Sequence, residues 1–158
     1  MIDSIFASST LKPQGTNTYE VRNLHDFNLK TAWVEGVRGY GIGEYLAYEF
    51  PADCPRITTI IIANGYTKSE QAYRDNSRVK KLRMYVNDKP YAVLNLEDKR
   101  SQQYFKFDPI GNSNRSNHVV LMKQGPWSLK FEILDVYQGA KYDDVVISEL
   151  YFDGIDVH

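Results

Sequence analysis

Glu35 and Glu44 bracket a glycine-punctuated stretch, Gly36, Gly39, Gly41 and Gly43, and a carboxylate pair at a loop is what acid and base cleavage of a glycosidic bond needs. A chain with 20 acidic residues produces such pairs by chance, so the pair alone does not make an enzyme. The glycine spacing is superficially that of a dinucleotide loop, yet Glu44 opens a strand where a helix should follow. His25, His118 and His158 fall far apart on different expected elements, so there is no paired-histidine zinc motif. Cys54 is the single cysteine, which rules out an internal disulfide and leaves the redox compartment open. It precedes Pro55 without a charged cluster beside it and reads as a small residue at a strand entrance, not as a nucleophile. Neither a Gly-x-x-x-x-Gly-Lys phosphate loop nor a Gly-x-Ser-x-Gly elbow occurs. Asn114-Arg115-Ser116 is an acceptor sequence for N-glycosylation, of a kind that also arises by chance.

The elements that would position these groups are strands. Aromatic residues make up 13% of the 158, including 12 tyrosines, and such side chains pack well on a pleated, half-buried surface. Period-two alternation predicts strands over 31–35, 43–50, 56–64, 78–86, 91–96, 102–107, 118–122, 129–133 and 147–152. The stretch 56–64 is apolar through its middle and reads as a central strand buried on both faces. Asn87-Asp88-Lys89-Pro90 has the chemistry of a tight hairpin turn. A single helical turn is expected over 23–27, behind the polar cap at Asn23. No repeat or linker interrupts the pattern, so residues 1–158 read as one all-β domain. Because an antiparallel sandwich alternates the end at which its loops emerge, loops 36–42, 65–77, 97–101 and 123–126 are expected to share one end.

Charge and hydropathy narrow the partners. The formal net charge is -1 and the pI near 6.3, without the basic excess that neutralises a phosphate backbone, so nucleic acid is not an expected partner. The longest apolar stretch, Ile60 to Ala63, is far short of the ~20 residues of a membrane-spanning helix. No secretory leader opens the sequence, which leaves a cytosolic protein or one from which a signal has been removed.

Three blocks then stand out in order. The first runs from Asn23-Leu24-His25-Asp26 through Thr31-Ala32-Trp33-Val34-Glu35-Gly36 to Gly41-Ile42-Gly43-Glu44. The second links Asn64-Gly65-Tyr66-Thr67-Lys68-Ser69 to Asn76-Ser77-Arg78-Val79-Lys80, and the third links Val136 to Asp144 with Ile147-Ser148-Glu149-Leu150. Together they resemble the discoidin, or galactose-binding-like (F5/8 type C-like), superfamily. More narrowly they resemble the glycan-binding domain attached to NADase toxins and surface NADases, over about residues 8–152.

That resemblance implies an all-β jelly-roll sandwich. It also implies a noncatalytic carbohydrate-binding module, an accessory to another domain in a secreted or cell-surface protein, with a glycan as partner and a catalytic domain in a longer chain. The alternatives are a protein-interaction or adhesion domain of the same fold, or a glycosidase or part of an NADase. The resemblance further implies a structural calcium site, with Asp26 and Glu149 giving carboxylates, Thr31 a hydroxyl or carbonyl, and Asn28 a further ligand. Phe27 stands where the superfamily carries a glycine, which sets the turn and the calcium in question. The competing reading has Asp26 capping the helical turn and Glu149 pairing with a lysine.

Sugar recognition needs flat rings for the apolar side of a pyranose and fixed polar groups for its hydroxyls. Tyr40 and Tyr66 are the expected rings, and Tyr40 is itself a departure, since the family tends to be polar there. Glu35, Glu44, Lys68, Arg74, Asn76 and Arg78 are the expected polar partners, and the basic ones would meet a sugar carboxylate if the glycan is acidic. Trp127 is expected at the edge of the same end. Against these roles, Tyr66 would hold its loop by its hydroxyl, Arg78 would pair with Asp143 or Asp144, and Trp33 reads as core.

Overall fold

A computed structural model describes residue 2 and residues 4–156; His158, weighed above as a metal ligand, lies outside them. Two antiparallel sheets face each other. One takes β1 (Ser4–Ala7), β3 (Tyr45–Phe50), β8 (Trp127–Tyr137), β5 (Arg78–Val86) and β6 (Lys89–Asn95) in that spatial order. The other takes β2 (Trp33–Val34), β9 (Val146–Gly154), β4 (Ile57–Asn64) and β7 (Gln103–Ile110).

Alternation decides which side chains enter the space between them. Along β8, Trp127, Leu129, Phe131 and Ile133 are buried while Lys130 and Glu132 point outward. Leu46, Tyr48 and Phe50 of β3, Leu82 and Met84 of β5, and Ile60 and Ile62 of β4 complete the core with Trp33. Burying each such large side chain contributes about 1.5–3 kcal/mol, so the sheets are held by this layer. β4 pairs on both edges, with β7 and β9, and its apolar middle, Ile60 to Ala63, is buried on both faces, as expected of a central strand. Asn87 (φ 50°) and Asp88 (φ 65°) form the two-residue turn that joins β5 to β6, as their chemistry predicts.

Three local expectations need correction. Residues 118–122, expected as a strand, form helix α2 (His118–Lys123), because Asn117 caps it: its Oδ1 accepts the Val120 N–H at 2.9 Å. A second short helix, α1 (Glu70–Asp75), was not expected and is capped by Ser69, whose Oγ accepts the Ala72 N–H at 3.0 Å. The helical turn at 23–27 is a 3-10 turn over Val21–His25.

Removing a strand at 118–122 inverts the parity of everything after it. Loops 35–44, 65–77 and 96–102 do share one end, but the fourth loop there is 138–145. The 123–126 stretch lies at the opposite end, with the 51–56 loop and the 87–88 turn.

Candidate functional site

At the end where 65–77 and 138–145 meet, a shallow groove runs past three tyrosines, Tyr19, Tyr66 and Tyr142. It comprises adjoining hollows of about 320 and 140 Å³, which share those rings and Asn76. Gln14, Asn17, Lys68, Asp75 and Asp144 supply its polar rim.

The backbone that presents these rings is fixed by polar contacts beneath it. Gly65, at φ +76°, lets the chain turn out of β4 with no room for a side chain: a Cβ there would stand 2.6 Å from Arg78 Cγ and 2.7 Å from Tyr73 Cε2. The Ser148 hydroxyl donates to the Gly65 carbonyl at 2.7 Å and accepts the Thr67 N–H at 3.0 Å, so β9 pins the base of Tyr66. Tyr142 is set by its N–H, which donates to the Asp75 carbonyl at 2.7 Å, and by its carbonyl, which accepts the Ser77 hydroxyl at 3.0 Å. Its side chain is 46% exposed, and the Lys141 Nζ lies over the ring at 5.5 Å. Lys68 Nζ lies 5.9 Å from the Tyr66 ring centre.

Of the residues expected to bind, Tyr66, Lys68 and Asn76 line this groove. Arg78 does not. It is buried, and its guanidinium is fully engaged in structure: Nε and Nη2 donate to Asp98 at 3.0 and 2.8 Å, and Nη1 donates to the carbonyls of Tyr73, Arg74 and Asn76. The pairing weighed with Asp143 or Asp144 is therefore made with Asp98 instead. Arg74 points to solvent and meets Glu70 at 3.2 Å on the face of α1. Glu44 accepts the Ser8 hydroxyl at 3.0 Å, and Tyr40 stands half-buried on 35–44 without lining the groove. Trp127 is a correction: it is buried at the opposite end, stacked on Phe50 with ring centres 4.3 Å apart. The sequence reading missed Tyr19, Tyr142 and Asp144.

Glu35 is buried beneath the same end. Its Oε2 accepts the Val37 N–H at 2.9 Å and its Oε1 the Val145 N–H at 3.3 Å, clipping loop 35–44 to the start of β9. Gly41, at φ +67°, packs so closely that a Cβ would stand 2.7 Å from the Glu35 Cδ. Burial raises the Glu35 pKa to about 7, against the pull of those two amides and with Asp144 and Glu44 adding to the rise.

A second constellation joins the 26–31 turn to β9. Asp26 accepts the Asn28 N–H at 2.8 Å and the Thr31 hydroxyl, while Thr31 Oγ1 also contacts the Asn28 carbonyl at 3.0 Å. Glu149 faces Asp26 from β9; both its carboxylate oxygens are buried and make no hydrogen bond of good geometry, although the Asn28 and Phe27 amides lie close enough to favour its charged form. Burial, then the Asp26 carboxyl, raises the Glu149 pKa to about 8. The lysine partner weighed for Glu149 is not found: none of the ion pairs among the described residues includes it. Phe27 adopts φ +54°, the left-handed conformation that glycine takes readily, so the turn forms without the glycine. Among the described residues no group of three or more His, Cys, Asp or Glu side chains is placed to hold a metal.

The two-sheet order, the loop-end groove and the Asp26–Glu149 pair can now be set against known proteins. The family model described as the NAD glycohydrolase translocation F5/8 type C domain matches residues 1–153. The chain belongs to this family. No curated protein matches it by sequence. Among solved structures it is similar to the family 32 carbohydrate-binding module of Clostridium perfringens NanJ, in complex with galactose (TM-score 0.59, 16% identity, covering 94% of this chain and 91% of that one). A second C. perfringens family 32 module, in complex with GalNAc-β-1,3-galactose, gives a TM-score of 0.61 at 15% identity over 94% and 93% of the two chains. The arabinofuranosyltransferase AftD from mycobacteria gives 0.64 at 12% identity, where 98% of this chain spans only 11% of that one. The fold of this translocation-type domain is thus the galactose-binding-like, discoidin jelly roll expected from its motif blocks.

Proposed function

We propose that the chain is a noncatalytic glycan-binding module that takes a neutral or N-acetylated sugar in the groove of Tyr19, Tyr66 and Tyr142. One observation carries the reading: the exposed ring of Tyr142 and the half-buried ring of Tyr66, backed by buried Tyr19, stand beside amide and carboxylate side chains at one end of the sandwich, the combination that pyranose faces and hydroxyls require. The choice of a neutral sugar follows from charge. Arg78 and Arg74 are engaged with Asp98 and Glu70, so the groove keeps Lys68 against Asp75 and Asp144 and offers no guanidinium fork for a sugar carboxylate. The family 32 modules of like fold, whose structures hold galactose and GalNAc-β-1,3-galactose, support the same ligand class.

Glu35, the one strongly perturbed carboxyl under this end, is closed off by the Gly41 backbone and spends both oxygens on amides, which suits a structural clip and not an acid catalyst. An accessory role in a secreted or surface protein, beside a catalytic domain, fits a translocation-type domain.

Calcium belongs to the same proposal. Two facing carboxylates, one of them buried without a hydrogen bond of good geometry, form a donor pair that a hard cation would satisfy. Asp26, Glu149, Thr31 and the carbonyls of the 26–31 turn would hold it, with Asn28 contributing through its backbone. With only two carboxylates the ion would draw its remaining ligands from neutral oxygens and water. Its role would be to brace the turn against β9, next to Thr67, whose hydroxyl donates to the Leu29 carbonyl at 2.8 Å.

A glycan array followed by calorimetric titration tests the reading. Binding of neutral sugars is expected to weaken about tenfold or more in Tyr66→Ala and in Tyr142→Ala, the loss of ~1.4 kcal/mol that truncation of an aromatic anchor brings. Trp127→Phe should leave it unchanged. An array with no binder at high protein concentration, with calcium and with chelator, refutes the proposal. So does turnover of a glycoside by the isolated chain.

A further inference from the structure

A further hollow lies away from the loop end. A cleft of about 400 Å³ opens at the opposite end, between the end of β3, the start of β4 and the end of β9, and its walls are mainly apolar. Phe50 and Phe152 form its floor, Ile57 and Pro55 one side, and Phe27 and Tyr151 the rim. Its volume falls in the range of about 300–1,000 Å³ over which small-molecule sites occur.

Two features show that this is a formed site and not a packing flaw. Its floor is rigid: Phe50 is stacked on Trp127 at 4.3 Å and meets Phe152 edge-on at 5.5 Å, so the rings are held from behind by the core. Its rim is held in an uncommon state. Phe27 combines a left-handed backbone, φ +54°, with a side chain 77% exposed, its ring edge-on to Tyr151 at 5.5 Å. An aromatic ring kept in water on a backbone that disfavours side chains gains nothing for the empty fold, and such outliers gather at ligand clamps.

The polar groups around the cleft define the ligand further. Arg56 is neutralised by Asp156, to which its Nε and Nη2 donate at 2.8 and 3.1 Å. His25 lines the wall with its Nε2 3.2 Å from the Tyr48 hydroxyl, so that nitrogen is already engaged. Asp153 is the remaining charge at the rim, and its Oδ1 accepts the Gly154 N–H at 2.8 Å. Nothing here compensates a ligand charge of either sign deep in the cleft.

We infer that this cleft binds an uncharged small molecule through one planar apolar ring, seated on Phe50 and Phe152 and clasped by Phe27 and Tyr151, at a site separate from the tyrosine groove. Rings of this kind occur in free aromatic metabolites and as the aglycone of a glycoside. The shared chemistry is the ring itself, and a sugar-bearing arm of the test separates the two sources.

The experiment is an amide NMR titration of the chain with benzyl alcohol, and in parallel with phenyl β-galactoside. Benzyl alcohol is expected to shift the amides of Phe27, Ile57, Tyr151 and Gly154 saturably at millimolar concentration, leaving Tyr66, Asn76 and Tyr142 in place. Phe27→Ala and Tyr151→Ala, both at the exposed rim, should weaken it about fivefold with the rest of the spectrum unchanged. A free aromatic metabolite is favoured if the galactoside binds the cleft no better than benzyl alcohol does, and a glycoside aglycone if it binds tighter. Shifts that stay linear with concentration, spread equally to exposed Phe6 and Tyr104, move to the groove, or persist in both variants overturn the inference. Failure of sugar binding at the groove leaves this result unaffected.

Discussion

The two ends of the sandwich present hollows made in opposite ways. At the loop end the rings sit on turns, and what fixes them is polar: the Ser148 bridge under Gly65, the Arg78 fork under α1 and the Glu35 clip under 35–44. At the other end the walls are the last side chains of core strands, and what fixes them is ring against ring. A polar scaffold fails when one partner is removed, because the group left behind is buried and unpaired; an apolar one shrinks by increments. The difference predicts where the molecule is brittle.

Removing Arg78 should have the largest effect. Arg78→Ala leaves Asp98 with only the Tyr73 hydroxyl and takes the donor from three carbonyls, and is expected to cost about 3 kcal/mol in urea unfolding, with loss of sugar binding. Arg56→Ala breaks a salt bridge of similar length at the other end, 2.8 Å to Asp156, but Asp156 keeps Arg115 at 3.5 Å and the Arg56 side chain serves no carbonyl, so the change should cost only about 1 kcal/mol. Equal losses would mean that the ends are not differently built.

Glu35 gives the loop end a pH signature. Its folded pKa, about 7, is raised above the ordinary 4.5, so the folded state holds a proton that the unfolded chain releases. Its contribution is fully present below about pH 4.5 and is lost as pH rises through about 7. Glu35→Gln lacks this titration. The variant starts less stable, having turned one acceptor into a donor, but its stability should fall less between about pH 5 and 8, by on the order of 3 kcal/mol at most. Parallel curves would remove Glu35 as the titrating group.

Calcium should act next in size. At a concentration a hundred times its Kd the ion would add about 2.7 kcal/mol, read as a rise in Tm that a chelator reverses. Glu149→Gln should abolish the rise while leaving the chelated protein about as stable, because Glu149, its pKa raised to about 8, is already mostly uncharged at neutral pH without the ion. A Tm indifferent to calcium in the unsubstituted chain rules the ion out.

The sandwich was legible because strand alternation is written residue by residue, as in Leu129, Phe131 and Ile133, and because Asn87-Asp88 allows few backbones. What misled was one five-residue segment. His118 to Met122 is β-branched enough to read as a strand, and only the Asn117 side chain, accepting the Val120 N–H, makes it a helix. That error carried Trp127 to the wrong end, since parity passes every miscount on to all later loops. That Tyr66 and Asn76 would meet at one end was legible because both sit in the motif blocks. Tyr19 was not, because residues 8–20 have no period that betrays a fold and reach the groove only through long-range contacts such as the Leu11 N–H donating to the Val34 carbonyl.

The smallest predicted effect tests the position that joins the Asp26 turn to the cleft. Phe27→Gly relieves a left-handed backbone, a strain of about 1–2 kcal/mol for a residue with a Cβ. It also loses an edge contact with Tyr151 and gives the unfolded chain more freedom to lose, so the net gain is expected to be under about 1 kcal/mol. The sign carries the meaning. A more stable variant that no longer binds benzyl alcohol would mean that the strain is borne for the ring at the rim, and therefore for a ligand. A variant destabilised by more than about 1 kcal/mol would make Phe27 a packing residue, and the two ends would then differ in construction but not in both offering a site.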